Sequence, residues 1–133
     1  MRHGRGLCIF SDGSLYEGYF KNNQRDGIGR CIFFSGNVYD GQYHDDKPHG
    51  KGTFTWDSGA RYSGHWHLNL FHGNGIYKSS NGKIKRAKWF YGKKEGEVVK
   101  TTSDGKKKKY IYERGIKKGK FLNLNDVWHL KYN

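Results

Sequence analysis

The side chains of this 133-residue chain that could do chemistry are seven histidines, two cysteines, scattered carboxylates and a dense set of lysines. Structural or catalytic zinc needs His and Cys at short, fixed spacings. His3, His49 and His72 instead recur at a position where Asp26, Glu95 and Lys118 stand in other copies, and a ligand does not exchange with lysine. His65 and His67 flank Trp66 and His44 is isolated, so neither a metal nor any other cofactor is expected. Cys8 and Cys31 lie 23 residues apart at a position held later by Phe54 and Tyr77, which marks them as small apolar fillers. If they sit two strands apart, their backbones are about 9 to 10 Å distant, beyond disulfide reach.

Catalysis finds no better support. Asp12, Asp57 and Asp104 stand in turn-forming triplets, and Glu17 and Asp40 alternate with aromatics as strand-face polar residues. The Gly-x-Gly pairs superficially suggest a phosphate loop, but they lack the following Lys-Ser/Thr and the strand-to-helix context that cradle a nucleotide. No catalytic residue is assigned, and the chain is read as a non-enzyme.

The lysines are unevenly placed. Residues 1–77 carry eight Lys and Arg against seven Asp and Glu, whereas residues 78–120 carry sixteen against four, which accounts for nearly all of the net charge of +13. The basic patch comprises Lys83, Lys85, Arg86, Lys88, Lys93, Lys94, the run Lys106, Lys107, Lys108 and Lys109, and Lys117 and Lys118. Such a patch suits a solvated face, an acidic protein surface or an anionic membrane, where each well-placed cation contributes about 1 kcal/mol. Nucleic acid is disfavoured as a partner, because no recognition motif and few stacking aromatics accompany the lysines.

The elements that must position these groups are announced by glycine. Gly4, Gly27, Gly50, Gly73, Gly96 and Gly119 recur every 23 residues, and Gly13, Gly36, Gly59, Gly82 and Gly105 form a second phase. Tyr16, Tyr39 and Tyr62 keep the same period, as do Phe20, Tyr43, Trp66, Trp89 and Tyr112. A short fixed period means stacked supersecondary units in one elongated domain. Within each unit the spacing is two: Tyr39, Gly41 and Tyr43 share a strand face, as do Gly50, Gly52, Phe54 and Trp56. Each unit is thus a β-hairpin with a compact Gly turn at one end and a longer loop (22–26, 44–49, 67–72) at the other. Mid-strand glycine needs a reason, and a trough that receives an aromatic ring supplies one.

Tyr16-Glu-Gly18-Tyr-Phe20 followed by Gly27-Ile-Gly29, Tyr39-Asp-Gly41-Gln-Tyr43 followed by Gly50-Lys-Gly52, and Tyr62-Ser-Gly64-His-Trp66 followed by Gly73-Asn-Gly75 resemble the MORN (membrane occupation and recognition nexus) repeat. Later copies depart from it, with Lys85 and Lys108 in place of the tyrosine and Ala87 and Tyr110 in place of the strand glycine. The resemblance and the period together predict an all-β fold: a single-layer, twisted antiparallel meander of stacked 23-residue hairpins, an open solenoid-like sheet of five hairpins plus a half unit. One domain spans 1–133, with clear repeats at 4–77, degenerate basic repeats at 78–120 and a C-terminal cap at 121–133 built on Val127, Trp128 and Leu130.

A single-layer sheet leaves ring surface uncovered, so a partner is expected on the aromatic face. The groove for a helical or extended protein segment is assigned to Tyr16, Phe20, Tyr39, Tyr43, Phe54, Tyr62, Trp66 and Trp89. The apolar loop residues Leu68, Leu70 and Phe71 form a second contact point, and the N-terminal edge is open to end-to-end pairing with another copy. The resemblance implies a scaffold or adaptor in ciliary, cytoskeletal or membrane-junction complexes, and its name records a membrane role through phospholipid. No segment approaches the roughly 20 apolar residues that span a bilayer and no secretory leader precedes the first repeat, so a cytoplasmic location is expected, including the cytoskeleton, the cilium or the cytoplasmic face of a membrane.

Overall fold

The structure is a computed structural model that describes residues 2–121. These residues form one open antiparallel sheet in which every strand pairs with its sequence neighbours. The strands are β1 (Gly4–Ile9), β2 (Leu15–Lys21), β3 (Gln24–Ile32), β4 (Val38–His44), β5 (Lys47–Thr55), β6 (Arg61–His67), β7 (Leu70–Lys78), β8 (Ile84–Phe90), β9 (Lys93–Thr101), β10 (Lys107–Glu113) and β11 (Ile116–Phe121). The strand β1 is the half unit, and five hairpins follow it. The expected cap residues Val127, Trp128 and Leu130 lie outside the described residues.

The sheet has one ring face and one open face. On the ring face Tyr16, Tyr39 and Tyr62 are fully buried, although among the described residues only other side chains lie above the sheet. Their burial comes from the opposed glycine pairs Gly18↔Gly29, Gly41↔Gly52 and Gly64↔Gly75. A Cβ on Gly29 would fall inside Tyr16, one on Gly52 inside Tyr39, and one on Gly75 inside Tyr62, so the bare backbone is what lets each ring lie flat. Next to each glycine pair the register slips, at Gly18/Phe20, Gly41/Tyr43 and Gly64/Trp66. A β-bulge leaves backbone groups out of the ladder. The tyrosine hydroxyls donate to carbonyls there: Tyr16 to Tyr19 O at 2.8 Å, Tyr39 to Gln42 O at 2.8 Å and Tyr62 to His65 O at 3.0 Å. Burial pushes the Tyr16 and Tyr62 phenols up to about 12, for Tyr16 against the charge of Arg25.

The buried rings then meet edge to face in one zigzag. Tyr16 contacts Phe20 and Tyr43, Tyr39 contacts Tyr43 and Trp66, and Tyr62 contacts Trp66 and Trp89, with centroids 5.0–5.4 Å apart and planes 81–89° apart. Each such pair contributes about 0.5–1.5 kcal/mol beyond its buried area. The zigzag ends at Trp89, because the next tyrosine position is Lys85.

The structure corrects the loops. The segments 22–26, 44–49 and 67–72 are not longer loops: the strands run through them and are joined by two-residue turns at Asn22-Asn23, Asp45-Asp46 and Leu68-Asn69, with both central residues at positive φ. That geometry matches the right-handed twist of the flanking strands. Tyr91-Gly92 and Arg114-Gly115 repeat it.

Candidate functional site

Of the eight residues assigned to the groove, Tyr16, Phe20, Tyr39, Tyr43, Tyr62, Trp66 and Trp89 are buried and Phe54 is half-buried. The seven are the array's own core, which leaves Phe54 as the one with substantial free surface. Beside it lie other half-buried rings that sequence reasoning passed over: Phe33 at 5.9 Å, Trp56 at 4.8 Å, and Tyr77, 5.7 Å from Trp56. They form a strip of partly covered aromatic surface across β3, β5 and β7. The signal was in the period, since 31, 54 and 77 share one phase and 33 and 56 another.

Leu68, Leu70 and Phe71 do not form one apolar tip. Leu68 occupies the turn at φ 42° and is exposed, and Leu70 opens β7, also exposed. Phe71 belongs to the ring face, stacked on Tyr62 at 3.9 Å with planes 11° apart, and so serves packing.

The basic residues do not form one patch either, because β-strands alternate their side chains between faces. Cross-strand pairing of Tyr77 with Lys85, Lys85 with Lys100, and Lys100 with Lys108 puts these lysines on the ring face. Arg86, Lys88, Lys107 and Lys109 point to the open face, where Lys109 pairs with Glu97 at 3.4 Å. Lys83, Lys93 and Lys106 lie at turns or strand ends, Lys118 lies within β11 at the register shift opposite Ile111/Tyr112, and Lys106 approaches Asp104 at 3.9 Å. The run 106–109 is therefore divided between the two faces.

On the ring face the ammonium groups sit over tyrosines. Lys85 is 5.7 Å from the Tyr77 ring centre, Lys94 4.7 Å from Tyr112, Lys100 4.7 Å from Tyr110, and Lys117 4.6 Å from Tyr110. Lys100 also donates to the Tyr112 hydroxyl at 3.1 Å. Partial burial, with Lys94 and Lys100 nearby, holds the Lys85 ammonium below its ordinary range. Burial alone would raise the Tyr112 phenol, but the Lys100 hydrogen bond and the charge of Lys94 outweigh it and lower the phenol. Lys100 was missed in the sequence because it is not in a run; its phase, that of Cys8, Cys31, Phe54 and Tyr77, is what sends it to the ring face.

At the other end of the ring face Arg25 packs over Phe10, Tyr16 and Tyr43 at 5.1–5.8 Å and pairs with Asp46 at 2.7 Å. Burial pushes the Asp46 carboxyl upward, but the Arg25 hydrogen bonds and charge outweigh it and hold it below the usual range. Burial likewise raises the Cys31 thiol despite Arg25, a poor setting for a nucleophile.

The histidines have a structural job. His3, His49 and His72 each accept, through Nδ1, a hydrogen bond from the backbone N–H of a neighbouring turn residue: Asn22 at 3.4 Å, Leu68 at 3.2 Å and Tyr91 at 3.0 Å. Glu95 accepts from Arg114 N at 3.0 Å in the same way, so in four copies this side chain serves as acceptor for a turn N–H. Among the described residues one group of ligand-type side chains converges, Asp26, His44 and Asp45. The His44 imidazole nitrogens lie 3.5 Å from the Asp26 and Asp45 carboxylates, contacts that become ion pairs when the imidazole carries a proton.

A search of curated proteins gives no match to the chain. The family model of the MORN repeat matches residues 1–15, 16–38, 39–61 and 62–84 in unbroken succession, each full match one 23-residue period long. The family is a non-enzymatic repeat module, generally for interaction with proteins or membranes. With its period, its Tyr-over-glycine packing and this match agreeing, the chain belongs to the MORN repeat family.

Proposed function

We propose that this chain is a non-enzymatic scaffold that binds a segment of a partner protein on its ring face, over the strip Phe33, Phe54, Trp56 and Tyr77. The observation that carries the reading is that strip: half-covered rings on a sheet that has no second layer among the described residues, packed against the buried zigzag. Rigid aromatic anchors of this kind are the residues that dominate interface energies. The strip crosses strands spaced about 4.8 Å apart, so it suits an extended peptide or a helix laid across the array. Ciliary or cytoskeletal complexes are the settings the family resemblance favours.

Attachment to acidic phospholipid is the rival, and the placement of the lysines argues against it. A bilayer lies against one face of a sheet, while the basic residues divide between two faces and the turns. The test is recovery of a stoichiometric partner by the chain and by a Phe54→Ala, Trp56→Ala double variant. Loss of the partner by the folded double variant supports the reading. Undiminished recovery, or binding to phosphatidylserine vesicles that survives the double change, contradicts it. The fully buried Tyr62 and nearly buried Trp66 are unsuited to this experiment, since truncating them tests folding.

A further inference from the structure

The ring face changes character along the array. Through β7 it offers Phe33, Phe54, Trp56 and Tyr77; from β8 onward Lys100 takes the phase of Phe54 and Tyr77 and Lys85 that of Tyr62, with Lys94 and Lys117 alongside. The two parts are continuous, because Tyr77 pairs directly with Lys85 and lies under its ammonium. Among the described residues none of Lys85, Lys94, Lys100 and Lys117 has a carboxylate within ion-pairing distance; the glutamate of this region that meets a lysine, Glu97, does so on the open face with Lys109. Among the described residues the cluster thus holds positive charge without countercharge, partly desolvated at Lys85, Lys94 and Lys100, against tyrosine rings.

Resting on the ring-face reading above, we infer that the partner segment is bipartite, with an apolar, aromatic-compatible part seated over Phe54, Trp56 and Tyr77 and an adjoining run of Asp or Glu seated over Lys85, Lys94 and Lys100. Carboxylates answer the cluster in two ways. They supply the missing countercharge, and they accept hydrogen bonds from ammonium groups that otherwise meet tyrosine π-faces and, for Lys100, the Tyr112 hydroxyl. The half-buried position of Lys85, Lys94 and Lys100 favours a chain that can lie in the strip over a flat anionic surface, which reaches first the exposed cations of the open face, of the turns and at Lys108 and Lys117. From β5 to β9 is four strand steps, about 19 Å, a length that about six extended residues or about thirteen helical ones would cover.

The probe is a fluorescein-labelled peptide with a Leu and Phe half followed by a glutamate half, measured by anisotropy on the full chain across a salt series. Two variants of equal charge change are compared: Lys85→Gln, Lys94→Gln, Lys100→Gln on the ring face, and Arg86→Gln, Lys88→Gln, Lys107→Gln on the open face. Glutamine keeps much of the stem's packing, and thermal unfolding verifies that both fold. The ring-face variant is expected to weaken binding about tenfold or more and flatten its salt dependence, while the open-face variant changes it less than about twofold. Equal losses from the two variants overturn the inference as unspecific attraction, as does preferential binding of phosphatidylserine vesicles through the open-face residues. If the lysine changes are silent but Phe54→Ala with Trp56→Ala abolishes binding, the acidic partner is wrong and the ring-face reading stands; if all are silent, both fall.

Discussion

Tyr16, Tyr39 and Tyr62 each cover a glycine with the ring and hold a bulge carbonyl with the hydroxyl, so the two halves of the side chain can be separated experimentally. Replacing Tyr39 by Phe keeps the ring and leaves Gln42 O without its donor; a loss of about 1–2 kcal/mol in urea unfolding is expected. Gly52→Ala strikes the other half, driving a methyl into the Tyr39 ring with backbone opposite, and should cost about 2–4 kcal/mol. His49 adds a pH term. Burial, with His67 and His44 nearby, holds its pKa below 6.5 in the folded chain, while its Nδ1 accepts from Leu68 N. The unfolded chain therefore binds the proton more readily, and His49's stabilising contribution, complete above about pH 6.5, is lost as pH falls through that value toward the folded pKa. Urea midpoints at pH 7.5 and pH 5 should differ more for the natural chain than for His49→Gln, and equal differences would assign the effect elsewhere.

At the scale of the element, the hairpin was legible because its period-two alternation and its glycines are local. The length of the loops was not: the charged and polar residues at 22–26 and 44–49 look like loop, yet they continue the strands once the neighbouring hairpin pairs with them. Asn22-Asn23 carries the tolerance of positive φ that a two-residue turn needs, and Leu68 does not. Leu68→Asn should raise stability by about 0.5–1 kcal/mol while removing an exposed apolar group, measured by thermal unfolding; a loss instead would mean that Leu68 makes a packing contribution. The groove residues were misjudged for a related reason. Ring type and spacing announce that Tyr16 or Trp66 faces the ring side, but only the glycine trough beneath and the neighbouring rings decide that it is covered, whereas Phe54 on β5 and Trp56 just past its end keep free surface. The lysine run shows the same limit, since adjacency in sequence places Lys107 and Lys108 on opposite faces.

Across the whole molecule, the zigzag of rings runs from Phe20 to Trp89 and stops, and the lysine and tyrosine cluster begins where it stops. Stability in a repeat array is a sum of unit and neighbour terms. Units at 85–121, which lack the Tyr-over-glycine lock, should therefore exchange their amide hydrogens faster than units at 16–78, and uniform protection along the array would contradict that division. Such an arrangement leaves the first part a rigid apolar platform and the second a more yielding cationic one. The measurement that tests the central claim most directly uses a photo-crosslinking residue at position 54, on the ring face, against the same residue at position 53, its neighbour on the open face. A segment of one partner protein joined from position 54 and absent from position 53 is the result expected; adducts from position 53 alone, or to lipid from either, would contradict a ring-face scaffold.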